Sequence, residues 1–338
     1  MTTNVDIRGN RHRPAGSTRG GQFSEKTNSA PADQLSDPAP STPLLPLAQR
    51  FGSVEEKLKV MQSELERSVE ALGDDDQWLA YLKMMGRFHR YSFNNQLLIG
   101  VQRPDATRVA GFNTWKSLGR SVRKGERGIA ILAPKVVNAK DENGAPELDA
   151  NGKPVRRVVG FTATTVFDVS QTDGEELPTA HEALTEEPPA GYIDDLTAAI
   201  TSHGYSVTYE PISGGAHAYT ATDGSHRVVV DESLGEGDRA TALAHELGHI
   251  VCGHTDQMDE YHTGHGGHRG RMEVEAESFA FVLSRANGMQ THLRGASEYV
   301  AGWQSKEPGA LREVGETIAK ATKSVLTGTQ WRNAGEFL

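Results

Sequence analysis

Ala240-Thr241-Ala242-Leu243-Ala244-His245-Glu246-Leu247-Gly248-His249-Ile250-Val251 is the stretch that decides the fold. Its apolar residues recur at three- and four-residue spacing, the period of a helix packed on one face. On such a helix His245 and His249 stand one turn apart, so both imidazoles reach one cation while Glu246 points at a water beside it. That is the spacing of a zinc hydrolase. A catalytic zinc takes three protein ligands and keeps a fourth position for water. The metzincin pattern would need Gly and His three and six residues past His249, where Cys252 and Thr255 stand. Gly253 and His254 are each one residue out of register. A glutamate from a following helix fits better, and Glu273-Val274-Glu275-Ala276-Glu277-Ser278-Phe279-Ala280 offers three.

In Glu-x-x-Ala-Glu the first glutamate, Glu273, is the expected ligand. Ala276 would let this helix approach the histidine helix, and Glu277 would hydrogen-bond a ligand imidazole. Glu277, which begins its own Glu-x-x-Ala, is the alternative ligand, and Glu275 would point off the face that Glu273 and Glu277 share. Gly248 costs about 1 kcal/mol inside a helix relative to Ala, which implies that another backbone packs against it. His254 is expected to cap the helix or support a ligand. Tyr261, His262, His265 and His268 lie in a Gly-rich loop, where one could supply an oxyanion donor. Cys252, the only cysteine, reads as helix packing. The chemistry that follows is hydrolysis assisted by one zinc ion per chain, with Glu246 as general base.

Outward from this motif, 338 residues carry a net charge of −10, which speaks against a surface that grips nucleic acid throughout. The distribution says otherwise for one segment: residues 101–137 hold eight Lys/Arg against two Asp/Glu, while residues 138–190 hold four against eleven. A local polyanion site is the expectation. No apolar run is long enough to span a membrane and no signal-peptide core opens the chain, which points to a cytoplasmic protein without a membrane partner. Residues 1–46 are rich in Gly, Pro, Ser and Thr without periodicity and read as a disordered tail. Helices are expected from Val54 to Leu72 and from Asp75 to Phe88, with a short buried helix or turn at 95–101. Strands are expected at 108–112, 128–137 and 157–168, the last two joined by a long hairpin tip at 141–154. Residues 47–176 thus read as one domain, 177–190 as a linker and 191–338 as a second domain, each large enough for its own core.

Residues 88–135 interleave Phe88, Tyr91, Phe93, Phe112 and Trp115 with cations, the usual device for single strands. The run Tyr91–Pro134 (YSFNNQLLIGVQRPDATRVAGFNTWKSLGRSVRKGERGIAILAP), extended through Val166–Gly174, resembles the N-terminal single-stranded-DNA-binding domain of ArdC-type antirestriction proteins. The carboxyl half resembles the zincin-like metallopeptidase domains of the ImmA/IrrE group. The resemblance implies an α+β DNA-binding domain followed by a zincin-like α+β peptidase domain, carried by a mobile genetic element. It places metal ligation on His245, His249 and Glu273 and the general base on Glu246. Trp115, Lys116, Arg120, Arg123, Lys124 and Arg127, with Asn95 and Gln96, are the expected contacts to single-stranded DNA. Two alternatives stand beside this reading. One is a regulatory peptidase that cleaves a repressor or host restriction component, with the basic domain only docking it. The other is a DNA-binding protein whose zinc site is inert.

Overall fold

The computed structural model describes residues 4–5, 11–12, 47, 49–140, 144–177, 185–213, 216–221, 223–257, 268–291, 309–328 and 331. In the unit formed by residues 1–43, β1 (Asn4–Val5) pairs antiparallel with β2 (Arg11–His12). The rest of the expected tail lies outside the described residues, as do Tyr261, His262 and His265.

Residues 44–338 form the second compact unit. Its first helices start where short polar side chains satisfy free amides. Ser53 accepts from the Glu56 N–H at the head of α1 (Val54–Ala71), and Asp74 accepts from the amides of Asp76 and Gln77 at the head of α2 (Asp75–Arg87). After α3 (Phe93–Gln102) the chain becomes strand and turn. The expected strand at 108–112 shrinks to β3 (Val109–Ala110), because Phe112 already opens α4 (Phe112–Ser117). β4 (Arg120–Val122) pairs with β7 (Thr172–Gly174), and β5 (Ile129–Asn138) forms a long hairpin with β6 (Arg156–Asp168), giving a sheet of order β3–β6–β5.

β5 is an edge strand, and α3 seals part of it. Asn95 donates to Leu132 O and accepts from Leu132 N–H, at 2.9 and 2.8 Å. Gln102, two helical turns on, does the same to Ala130 at 2.8 Å in both directions. The two amides stand where a neighbouring strand would otherwise pair.

The second half opens with α5 (Tyr192–Ser202) and a sheet of order β8 (Ser206–Glu210), β10 (Arg227–Asp231), β9 (Ala218–Thr220). β8 runs parallel to β10 and β9 antiparallel, so among the described residues β9 has a strand neighbour on one side only. α6 (Glu236–Val251), a 3-10 turn at His254–Gln257, α7 (His268–Ala286) and α8 (Ala310–Leu326) follow. Part of the expected linker is pinned: Thr185 N–H donates to Gly288 O at 3.1 Å and Gln290 N–H to Thr185 O at 2.7 Å.

A small apolar cluster, including Phe88, Ile99, Val109, Ile131 and Val166, belongs to the first half alone. One apolar cluster runs through both halves, from Met61, Trp78 and Leu98 to Leu247, Phe279 and Ile318. The reason is that α2 packs on α7 and α3 on α8. Glycines mark both contacts: a Cβ on Gly86 would meet Val282 O at 3.4 Å, and one on Gly315 would overlap the Phe93 ring.

Between α6 and α7 the contact is backbone against backbone. A Cβ on Gly248 would meet the Cα and carbonyl oxygen of Ala276, each at 2.9 Å, and Phe279 Cδ1 at 3.1 Å. The first two contacts are backbone atoms that cannot swing aside. Gly248→Ala is therefore expected to destabilise the fold by about 1–3 kcal/mol despite the better helix propensity of Ala, because overpacking outweighs it. A urea unfolding midpoint at or above that of the wild type would contradict the contact.

Candidate functional site

α6 and α7 bring four ionisable side chains together. The Nε2 atoms of His245 and His249 are 3.1 Å apart. Glu273 places Oε2 at 3.6 Å from His245 Nε2 and Oε1 at 3.9 Å from His249 Nε2. These three residues form the group, among the described residues, that could hold a metal ion, with ligand atoms all within 4.8 Å of one another. Donors about 2 Å from a shared tetrahedral ion lie roughly 3.3 Å apart, so the set matches that requirement in donor type and nearly in spacing. Glu277 sits on the opposite side of the first ring, 3.3 Å from His245 Nδ1. The two glutamates left open by spacing thus face different nitrogens, Glu273 the side where the imidazoles converge and Glu277 the side away from it.

The electrostatics of the group are uneven. Burial disfavours a charged His245, but the hydrogen bond to Glu277 and the charges of Glu246, Glu273 and Glu277 outweigh it and raise its pKa. His249 is pushed well below the usual histidine range by burial, reinforced by the neighbouring His245 and His254. Glu246 is 7% exposed. Burial raises its pKa, only partly offset by His245 and by Thr220, whose hydroxyl donates to Glu246 Oε2 at 2.7 Å. A buried carboxylate whose pKa is raised and whose orientation Thr220 fixes is suited to taking and returning a proton. Thr220 was not singled out by sequence, since a lone threonine in a short strand carries no signal.

These groups line a cleft of about 700 Å³ between the helices and β9, where Tyr219, Thr220 and Ala221 meet His245, Glu246 and Glu273. Cys252 sits at the end of α6, where burial drives its thiol far above the ordinary range, as expected of packing rather than reactivity. His268 opens α7.

The basic segment is arranged differently from expectation. Trp115 is 0% exposed and donates its indole N–H to Phe167 O at 2.8 Å. Gln96 is 0% exposed, accepts from the Tyr81 hydroxyl at 3.0 Å and donates to Phe88 O and Tyr91 O. Neither presents a face to a base, which corrects the expectation for both. Asn95 is committed to the backbone of β5 as described above. Arg120 binds Thr172 and the carbonyls of Gly174 and Glu175, and Arg123 pairs with Glu126 and Asp173. Lys116, Lys124 and Arg127 remain exposed, and Phe112, at 55%, is the exposed ring of this segment. The stretch after β6 explains this order. Buried Asp168 accepts from the amides of Thr107, Arg108 and Ser170, while Gln171 donates to Glu126 and to Arg127 O.

Comparison with known proteins adds the following. Residues 57–167 match the family model described as the N-terminal domain of anti-restriction factor ArdC, and residues 200–286 match the IrrE N-terminal-like domain. Two DNA primase TraC proteins of Escherichia coli are similar, one 25% identical over 242 residues (69% of this chain, 16% of that protein) and one 27% identical over 228 residues (63% and 20%). An uncharacterized protein of Bacillus anthracis is 22% identical over 304 residues, covering 80% of this chain and 49% of that protein. The chain thus spans less than half the length of these relatives. Two crystal structures of the antirestriction ArdC protein from R388 plasmid are also similar, both at 19% identity. The metal-free one has a TM-score of 0.45, covering 73% of this chain and 86% of that one. The Mn(II)-bound one has a TM-score of 0.48, with 82% and 99% covered.

Because Trp115 fills the core, Trp115→Ala is expected to lower unfolding stability by about 3–5 kcal/mol. Denaturant melts check this, and an unchanged midpoint would return the ring to the surface.

Proposed function

We propose that this chain, in which an ArdC-like N-terminal domain precedes an IrrE-like domain, is an antirestriction protein that binds single-stranded DNA and carries a zinc-dependent peptidase site. The observation that carries the enzymatic part is the convergence of His245, His249 and Glu273 with the buried carboxylate of Glu246 beside them. Zinc held by those three side chains would act as a Lewis acid on a scissile carbonyl and acidify a water next to it. The protein's own contributions follow from position. Glu246 takes the proton of the attacking water and returns it to the leaving amine, with Thr220 keeping its carboxylate aimed. The side of β9 without a strand neighbour among the described residues offers backbone groups to an extended peptide lying in the cleft.

The DNA part is supported by the basic segment 101–137 and by the match to the ArdC N-terminal domain. Lys116, Lys124, Arg127 and Lys135 are its exposed cations without a described ion pair, and Phe112 is the ring available for stacking. Residues 47–176 would serve this role and residues 191–338 the hydrolytic one. A restriction or repressor protein of the host is the peptide substrate class that suits an antirestriction factor.

Glu246→Gln should keep about one zinc per chain by elemental analysis and lose peptide hydrolysis by a factor of about 10²–10⁴. Full turnover in the zinc-loaded variant would sink the mechanism, and a zinc-loaded wild type inert on a broad peptide library would leave a binding protein. Affinity for an oligo-dT strand should fall with salt. Replacing Lys116, Lys124 and Arg127 together by Ala should flatten the slope of log K against log salt by about 2, at roughly 0.7 per phosphate contact. A wild-type slope near zero rules out the DNA reading.

A further inference from the structure

Glu275 leaves the face shared by Glu273 and Glu277, yet it is 4% exposed and fully engaged. Its Oε2 lies 2.8 Å from His254 Nε2 and its Oε1 accepts from Arg271 Nε at 3.0 Å. Arg271 continues to Glu313 on α8 at 2.9 Å. On the other side His254, 2% exposed, brings its Nδ1 to 3.0 Å from Nδ1 of His249. Gly253 makes this return possible: its φ of 78° turns the chain sharply after α6 and folds His254 back onto the helix it has just left.

Proton bookkeeping along this line leaves one arrangement of neutral rings. A carboxylate only accepts, so the hydrogen between Glu275 and His254 sits on His254 Nε2. A neutral imidazole with that nitrogen protonated presents a bare Nδ1. The hydrogen between the two Nδ1 atoms therefore belongs to His249, and His249 Nε2 is left unprotonated. That Nε2 is the atom 3.1 Å from His245 Nε2 and facing Glu273. His245 reaches the same state in one step, since Glu277 faces its Nδ1 directly.

We infer that His254 and Glu275 are positioning residues that act in series to set the tautomer of His249, with Arg271 and Glu313 holding the Glu275 carboxylate in place. The consequence for metal binding rests on the reading of the preceding subsection; the tautomer itself does not. His249 is supported by a relay because its Nδ1 faces His254 in the turn that ends α6, and His254 in turn meets Glu275 of α7. Partners of this kind orient a ligand imidazole and are commonly worth 10- to 100-fold in metal affinity.

The test uses the full chain labelled with ¹⁵N-histidine, free of metal, and long-range ¹H–¹⁵N correlation spectra near neutral pH. The wild type should show His249 protonated at Nδ1 with an unprotonated Nε2. Glu275→Leu and His254→Phe should lose that single state, while Glu275→Gln, which still offers an oxygen to His254, should retain it. Calorimetric titration with Zn(II) should give a 10- to 100-fold weaker site in Glu275→Leu and His254→Phe, with substantial recovery in Glu275→Gln. His249 protonated at Nε2 in the wild type would overturn the inference. So would a folded Glu275→Leu protein with unchanged tautomer and unchanged zinc affinity. Should Glu275→Leu fail to fold, the wild-type spectrum and the Gln variant decide alone. A wild type with the expected tautomer that binds no Zn(II) would refute the metal reading and leave the relay standing.

Discussion

The absence of a side chain at Gly248 is the constraint on which the site depends. Two helices normally pack with axes about 8–10 Å apart, the lower end being reached only where small residues face each other. Here Gly248 faces Ala276, and the position of a Cβ on Gly248 is already taken by backbone. The histidines at 245 and 249 flank that contact on α6, and Glu273 and Glu277 flank it on α7. Each glutamate meets its histidine only because the two backbones are this close, and so does the buried pair of His254 and Glu275.

The same economy of space joins the two halves of the chain. Met61, Trp78 and Leu98 share one apolar cluster with the residues beneath the site. Arg312 on α8 donates to Asn94 on α3 at 3.0 Å and lies 5.9 Å from the centre of the Phe93 ring. α8 therefore touches both ends of the molecule's chemistry, through α3 toward the basic segment and through Glu313 and Arg271 toward His254. The two sequence families found side by side are thus packed as one body rather than strung on a flexible tether.

How much of this was legible in sequence depended on whether the signal was periodic. The helix carrying His245 and His249, the close packing at Gly248 and the hairpin of β5 and β6 could be read, because spacing and propensity act locally. The roles of Trp115, Gln96 and Asn95 could not. An aromatic or amide among cations looks like a nucleic-acid contact in one dimension, and burial against Phe167 or the edge of β5 is a tertiary fact. The partner of Glu275 was not legible for a related reason. The direction of Glu275 on α7 was read correctly, but the residue it meets comes back through a turn at Gly253 that helical periodicity does not describe. The basic segment was visible as charge, although much of that charge is spent within the domain: Arg120 and Arg123 tie β4 to β7.

The amides of Asn95 and Gln102 bear on more than the stability of one sheet. A strand edge recruits any extended chain of suitable length, with little regard to sequence. By occupying the backbone of Ala130 and Leu132 with side chains, α3 withdraws that invitation along the inner part of β5. β9, at the rim of the cleft, receives no such cover from a second strand among the described residues. Among those residues the β5 edge is thus guarded, and the β9 edge, which lines the cleft with His245 and Glu246, is not.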